Sequence, residues 1–218
     1  IKNMHDKIIV GITQRIDEII PYREWRDALD QRLIKWVVDI GFIPVPIPNN
    51  LVDIDLPMHK QIALSNWIEE LNIGAILLSG GNNVGSVPHR DLTENFLLLW
   101  AEENCKPVLG ICRGMQMIGV YSGVELINIM DHVNTTHNLQ IIDTSTKIVL
   151  NLVNSYHEQA LKNCPLSFKV LARSEDGSIE AIKHKKLPWE GWMWHPEREE
   201  KFQKYNQDRF KELILDDK

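Results

Sequence analysis

The chain has 218 residues, of which 44% are hydrophobic, and its formal net charge at pH 7 is -6. This length and apolar content can fill one large core, so we expect residues 1–218 to form a single domain. The charged residues are spread along the chain without a basic stripe, so nucleic acid is not expected as a partner. No apolar run is long enough to span a bilayer, so no membrane contact is expected.

The cysteines lie at positions 105, 112 and 164 and include no CxxC pair. An odd number without close pairs argues against a disulfide framework or a zinc ribbon, and it favours a reducing, cytoplasmic compartment. This usage leaves a cysteine free for chemistry.

The first half of the chain alternates predicted strands and helices. Short apolar runs rich in β-branched residues predict strands at 7–13, 42–48, 74–81 and 108–112. Apolar side chains at helical spacing predict helices at 22–40, 58–71, 91–104 and 113–121. The prolines of 42–48 indicate an edge strand. Trp25, Trp36 and Trp67 fall on apolar helix faces, so we expect them in the core.

The second half has shorter predicted strands and one closing helix. The strands are 139–143, 147–153, 168–174, 178–184 and 190–197, with a hairpin turn at 175–178 and the helix at 199–214. We interpret them as a mixed or antiparallel extension of the same sheet. The whole pattern predicts an α/β three-layer sandwich around a mostly parallel sheet, with its site at the carboxyl ends of the strands.

The stretch VLGICRG, residues 108–114, places Cys112 where a predicted strand meets a predicted helix. Gly110 and Gly114 flank it at two residues on either side, which is the pattern of a nucleophile elbow with cysteine in place of serine. The glycines leave room for a tight, strained turn, and the helix N-terminus favours the thiolate. The Arg113 amide is a candidate oxyanion donor. The alternative is a small residue that only packs the strand end.

A candidate base lies at the end of the strand 190–197, in His195-Pro196-Glu197. The proline keeps the backbone extended, and alternate residues of an extended segment point to one side. Glu197 is therefore placed to orient His195, which predicts a Cys-His-Glu triad with Cys112. An exposed turn and a Cys/His/Glu metal site remain alternatives. The latter lacks a close-spaced ligand pair, so we expect no metal.

An oxyanion hole needs a second amide donor. The stretch SGGNN, residues 79–83, ends the preceding predicted strand and contains a glycine pair that lets the backbone approach a ligand closely. Gly81 is the candidate donor. A glycine turn without any ligand is the alternative.

With SGGNN, GICRGMQ and WHPE in this order, the chain resembles the class I glutamine amidotransferases, over about residues 7–200. GICRGMQ together with VNSYHEQ, at 153–159, is most similar to the γ-glutamyl hydrolase branch. The resemblance implies a flavodoxin-like fold, a single glutamine amidotransferase-like hydrolase domain and no cofactor.

The resemblance also implies a role for each matching residue. Cys112 would form a γ-glutamyl thioester, His195 would carry protons and Glu197 would hold His195. The amides of Gly81 and Arg113 would bind the oxyanion. The implied contacts to the glutamyl group or the leaving group are Gln116, Asn154, Ser155 and His157. An ordinary polar loop is the alternative for the last three, and His157 is also a rival base.

The chain departs from the branch at residues 82–88, NNVGSVP, where many members have an acidic residue, a proline and a tyrosine. This departure argues against the usual small amine as leaving group. We interpret Arg90 as part of a solvated helix start; a contact with a charged leaving group is the alternative. Residues 131–137 are expected to form a lid loop beside the site that carries substrate choice.

The first functional hypothesis is a stand-alone hydrolase of a small-molecule γ-glutamyl amide, because 218 residues leave no length for an acceptor domain. One activity of similar proteins, hydrolysis of γ-glutamyl-CDP-amidate in capsular phosphoramidate synthesis, fits the altered loop. The second hypothesis is a glutaminase subunit docked on a separate synthase. The third is a non-catalytic binding or redox-sensing relative, which the intact HPE disfavours. A homodimer remains open.

Overall fold

The computed structural model describes residues 7–143 and 150–215. Its strands, in chain order, are β1 Ile9–Thr13, β2 Arg15–Ile19, β3 Glu24–Ala28, β4 Ile43–Ile47, β5 Ala75–Leu78, β6 Val108–Ile111, β7 Leu126–Asn128, β8 Val133–Asn138, β9 Gln140–Ile141, β10 Leu152–Tyr156, β11 Gln159–Leu161, β12 Phe168–Arg173, β13 Ile179–His184 and β14 Trp189–Trp192. Its α-helices are α1 Gln31–Ile40, α2 Ile62–Glu70, α3 Pro88–Glu103, α4 Arg113–Tyr121 and α5 Lys204–Leu215.

Eight strands form the central sheet, in the order β4-β1-β5-β6-β14-β13-β12-β9. The strands from β4 to β14 pair in parallel, and those from β14 to β9 pair antiparallel. The predicted mostly parallel sheet with an antiparallel extension is therefore confirmed. The proline-rich β4 lies at an edge, as predicted.

Helices cover both faces of this sheet and make the three predicted layers. Helices α1 and α5 pack on one face, where Trp36 stacks on Phe210 at 5.3 Å between ring centroids. Helices α2, α3 and α4 pack on the other face. The parallel strands are apolar on both sides because neither side meets water; all four residues of β5 and of β6 are buried.

The largest difference from the sequence prediction lies before α1. The predicted helix 22–40 begins only at Gln31, where Asp30 caps it by accepting a hydrogen bond from the Arg32 amide at 2.8 Å. The residues before it form the β2–β3 hairpin. Trp25 lies on this hairpin with 66% of its surface exposed, so the prediction of a core tryptophan is wrong there.

Further segments differ from the prediction. The predicted strand 190–197 ends as β14 at Trp192, and Pro196–Arg198 form a short 3-10 helix, so the extended backbone expected from His195 to Glu197 is wrong. Helix α3 begins at Pro88, three residues earlier than predicted, because proline suits the first turn of a helix. Most of the predicted lid loop 131–137 is strand β8, which pairs with β10 in a separate two-stranded ribbon. Residues 147–149 of the predicted strand 147–153 lie outside the described residues. Within the described part of the chain, no helix is long and apolar enough to cross a membrane.

Candidate active site

Three adjacent parallel strands, β5, β6 and β14, carry the candidate site at their carboxyl ends. Ser79, Cys112 and His195 each follow one of these strands within a few residues. Because parallel strands end at the same edge of a sheet, the motifs that the sequence separates by more than 100 residues meet here.

Cys112 occupies the tight turn that the glycine spacing predicts. Its backbone angles are φ 51° and ψ -106°, a strained conformation for a residue with a side chain. A Cβ on Gly110 would lie 2.5 Å from the backbone carbon of Gly114, and a Cβ on Gly114 would lie 2.2 Å from the Leu78 oxygen. Gly110 is therefore required for the close approach of β6 and α4, and Gly114 for the close approach of α4 and β5.

His195 lies between Cys112 and Glu197, and all three side chains are buried. Its Nδ1 donates a hydrogen bond to Glu197 Oε1 at 2.6 Å, and Cys112 is close enough to the ring to affect its protonation. Burial lowers the pKa of His195, but the hydrogen bonds with Cys112 and Glu197 outweigh it and raise that pKa to about 9. The imidazole is therefore protonated at neutral pH.

The side chain of Asn154 forms hydrogen bonds with both the backbone amide and the backbone carbonyl of His195. The His195 amide donates to Asn154 Oδ1 at 2.9 Å, and Asn154 Nδ2 donates to the His195 carbonyl at 2.9 Å and to Glu199 Oε1 at 2.6 Å. In this structure Asn154 therefore positions His195, and its expected contact with substrate stays a prediction. Arg32 of α1 secures the same segment by donating to the Glu197 carbonyl at 2.8 Å.

The other residues expected at the substrate are engaged elsewhere. Ser155 is fully buried and donates to the His132 carbonyl at 2.6 Å, and Gln116 Nε2 donates to the Gln159 carbonyl at 2.7 Å. His157 is buried beside His132, and burial lowers its pKa to about 4, so it is a poor rival base. In this structure these side chains bond to the protein itself, and their expected substrate contacts stay predictions.

The glycine pair lies directly against the imidazole. A Cβ on Gly80 would lie 2.6 Å from His195 Cε1, and Gly81 has φ 97°, a conformation that favours glycine. The Arg113 amide begins α4, where the first amides have no partner within the helix. Gly81, the residue after Gly80, and Arg113, the residue after Cys112, stay the predicted oxyanion donors.

A buried charge network joins these two donors, and the sequence analysis missed it. Arg90 is fully buried, so its interpretation as a solvated helix start is wrong; it donates to the Ser79 and Gly80 carbonyls at 2.7 and 3.0 Å. Glu94 accepts from Arg90 at 3.0 Å and from Arg113. Burial alone would raise the pKa of Glu94, but the two guanidinium groups hold it below its usual value. The stretch RDLTE, residues 90–94, places Arg90 and Glu94 one helix turn apart, and this spacing is the sequence pattern that could have revealed their ion pair.

A cavity of about 290 Å³ opens beside the histidine. Its lining includes the Ser79–Gly81 loop, His195 and Glu197 together with three charged side chains, Arg15, Asp30 and Arg198. The cavity presents the paired base and the Ser79–Gly81 loop to a small charged molecule, and Cys112, the neighbour of His195, is not among its lining residues.

Comparisons with known proteins agree on one family. A model of the peptidase C26 family matches residues 8–197. The gamma-glutamyl-CDP-amidate hydrolase of Campylobacter jejuni is 31% identical over 201 residues, which cover 88% of this chain and 91% of that protein. The glutamine-hydrolyzing GMP synthase subunit of Pyrococcus abyssi is 32% identical over 136 residues, which cover 60% of this chain and 69% of that protein.

Solved structures share the fold. A candidate GMP synthase subunit from Thermoplasma acidophilum superposes with a TM-score of 0.72 at 18% identity, covering 96% of this chain and 94% of that chain. A glutamine amidotransferase from Thermotoga maritima gives a TM-score of 0.63 at 14% identity, covering 97% of this chain and 84% of that chain. The predicted glutamine amidotransferase fold is confirmed.

Proposed function

Because the chain belongs to the peptidase C26 family, we propose that it is a stand-alone cysteine hydrolase that cleaves a γ-glutamyl amide to glutamate and a free amine or amidate. The observation that carries this proposal is the buried hydrogen bond of 2.6 Å between His195 and Glu197, at the edge of the sheet where Cys112 occupies the strained elbow. A cysteine paired with an oriented histidine is the arrangement that acyl transfer requires.

The proposed reaction has two steps. Cys112 Sγ attacks the γ-carbonyl carbon, and the carbon–nitrogen bond breaks as His195 gives a proton to the leaving nitrogen. The γ-glutamyl thioester then reacts with water, which loses its proton to His195, and glutamate leaves as the sulfur is regenerated. Glu197 keeps Nδ1–H of the imidazole in place, and the Gly81 and Arg113 amides are the proposed donors to the oxyanion.

The charged residues that line the cavity favour a substrate with an anionic leaving group. Arg15 and Arg198 line it, and the Arg198 guanidinium lies 4.6 Å from the centre of the Tyr156 ring, which fixes its direction. Asp30, on the same wall, is a partner for the α-amino group of the glutamyl moiety. A γ-glutamyl nucleotide amidate, the substrate named for the Campylobacter relative, carries both kinds of group.

The test compares two substrates that share the glutamyl group. Glutamate release is measured with a γ-glutamyl nucleotide amidate and with an uncharged γ-glutamyl alkylamide. Arg15→Gln should raise KM about tenfold for the amidate and leave KM for the alkylamide unchanged, because only the amidate carries phosphate. Arg26→Gln, on the same hairpin but outside the cavity, is the control. Equal effects on both substrates would contradict the assignment of the leaving group.

A glutaminase that serves a separate synthase is the second candidate, favoured by the similarity to the glutamine-hydrolyzing GMP synthase subunit of Pyrococcus abyssi. It predicts that the isolated chain releases glutamate slowly from every substrate and that a synthase partner activates the use of glutamine. Rapid turnover of a γ-glutamyl amidate by the isolated chain, with poor turnover of glutamine, would instead support the hydrolase.

A further inference from the structure

We propose that His132, His137, His157 and Glu180 form a four-coordinate site for a divalent transition-metal ion, best matched by Zn²⁺. One donor atom from each side chain lies within 4.8 Å of all the others. The donors come from both strands of the β8–β10 ribbon or residues next to them and, in Glu180, from β13 of the central sheet. The sequence analysis predicts no metal because it weighed only the Cys/His/Glu set of the candidate active site, which lacks a close-spaced ligand pair, and not these four residues.

The distances match a tetrahedral ion. Zinc with bonds of about 2.0–2.1 Å holds neighbouring donor atoms about 3.3–3.4 Å apart. His132 Nδ1 and His157 Nε2 are 3.4 Å apart, and each lies 3.7 Å from Glu180 Oε1. An ion among these three donors therefore requires shifts of only a few tenths of an ångström. The His137 donor lies within 4.8 Å of the other three and has to move closer to complete the tetrahedron.

The outer contacts of the rings determine which nitrogens face the centre. His132 Nε2 lies 2.9 Å from Asp176 Oδ2, and His157 Nδ1 lies 3.1 Å from the Gln159 carbonyl oxygen, so each of these nitrogens carries the proton. The inward nitrogens of the neutral rings then point lone pairs at each other. Neither inward nitrogen carries a proton, so the two cannot form a hydrogen bond with each other. A cation between them can accept both lone pairs.

The remaining donors are buried without partners. Glu180 is fully buried, and in residues 7–143 and 150–215 neither of its carboxylate oxygens has a hydrogen-bond partner. The same holds for His137 Nε2 in that part of the chain. A buried carboxylate that accepts nothing is costly, and a bound dication beside it removes that cost.

The supporting contacts are also those of a metal site. Metal-bound histidines normally donate their second ring N–H to a carboxylate or a backbone carbonyl, as His132 and His157 do here. Asp176 is itself held in the β12–β13 turn by Ser174 Oγ at 2.5 Å and by the Ser178 amide at 2.9 Å. The carboxylate is therefore fixed before any ion binds.

The ligand set selects the ion. Three imidazoles and one carboxylate suit zinc and its neighbours in the first transition series, whereas Mg²⁺ and Ca²⁺ prefer oxygen ligands. Four protein donors leave no open position for substrate, which is typical of structural zinc. We therefore assign the ion a structural role.

The bound ion would stabilise the position of strand β10, which contacts the candidate base His195. Alternate residues of β10 face opposite sides. Asn154 and Tyr156 contact His195, whereas Ser155 and the following His157 face the metal ligands. Through Glu180 the ion would tie this ribbon to the central sheet, so metal binding would stabilise the fold.

The test measures metal binding to the full chain after dialysis against a chelator. We expect one Co²⁺ or Zn²⁺ per chain, a four-coordinate Co²⁺ absorption spectrum and a higher melting temperature with metal. Glu180→Gln and His137→Gln should weaken binding about 100-fold or more, and Asp176→Asn by about 10- to 100-fold. His59→Gln, which removes an exposed histidine, should bind like the wild type. Wild-type affinity in Glu180→Gln, or no binding by the folded wild type, would overturn the proposal.

A second measurement does not depend on whether the variants fold. X-ray absorption of the wild-type protein loaded with one Zn²⁺ should give only nitrogen and oxygen ligands at about 2.0–2.1 Å, with imidazole scattering. Cys112→Ala should give the same spectrum. A sulfur ligand at about 2.3 Å would place the ion at Cys112 and would refute the site.

Discussion

At the scale of single residues, Cys112 and His195 depend on each other. The sulfur is held in a strained turn against the imidazole, and hydrogen bonds with Cys112 and Glu197 overcome the burial that would otherwise deprotonate the ring. The sequence predicted all three partners because each follows a strand within a recognisable motif. It could not predict the role of Asn154, since nothing along the chain shows that its amide faces a backbone 41 residues away.

The titration of His195 is a direct consequence of these contacts. We expect its imidazole to titrate near pH 9 in the wild type and at least about one unit lower in Cys112→Ala, which lacks one of the two hydrogen bonds. Ring resonances in NMR measure both values. Because the folded pKa lies above the ordinary value of 6.5, protonated His195 stabilises the fold fully below about pH 6.5, and this contribution is lost as pH rises through about 9. Identical titrations in the two proteins would refute the contact.

The orienting role of Glu197 predicts unequal kinetic losses. His195→Ala should lower kcat about 10²- to 10⁴-fold or more because proton transfer is lost. Glu197→Gln should lower it less, since a neutral amide can still hold the ring. Steady-state glutamate release measures both. Equal losses would mean that the carboxylate does more than orient.

At the scale of elements, helix α3 acts as the support of the candidate oxyanion loop. Arg90 holds the Ser79 and Gly80 carbonyls, and Glu94 links Arg90 to the residue after the nucleophile. The apolar pattern of the sequence placed this helix on the sheet but could not show that its charged residues also face inward. Charged side chains are usually solvated, and here mutual pairing reverses that preference.

Glu94→Gln tests this support. Removing the carboxylate leaves two buried guanidinium groups that share Asp91 as their nearby acidic group, so the free energy of unfolding should fall by about 3–5 kcal/mol. Urea denaturation measures it. Glu103→Gln, the same change at an exposed position of the same helix, should alter stability by less than about 0.5 kcal/mol. Similar losses in both variants would contradict the network.

The elements that sequence reasoning missed share a physical cause. The β2–β3 hairpin exposes most of its side chains, so it lacks the apolar alternation that identifies a strand, and Trp25 extended the helical spacing of α1 by chance. Strand β8, VNTTHN, is equally polar because its ribbon lies outside the central sheet. Buried strands were predictable from their composition; exposed ones were not.

At the scale of the whole molecule, the sheet order explains why distant motifs form one site. Strands β5, β6 and β14 are neighbours although β14 lies more than 70 residues after β6 in sequence. The separate β8–β10 ribbon carries the three histidines of the cluster next to Glu180 of the antiparallel extension, and its strand β10 contacts His195. The motif order made the fold class predictable, whereas the cluster depends on strand pairings that no local pattern records.

The most direct measurement is glutamate release from a γ-glutamyl amide by the folded Cys112→Ala variant, with Cys164→Ala as the control. Our account predicts that Cys112→Ala loses turnover by about 10⁴-fold or more while its circular dichroism spectrum stays unchanged, and that Cys164→Ala retains the wild-type rate. Wild-type turnover by Cys112→Ala would contradict the account, whatever the substrate.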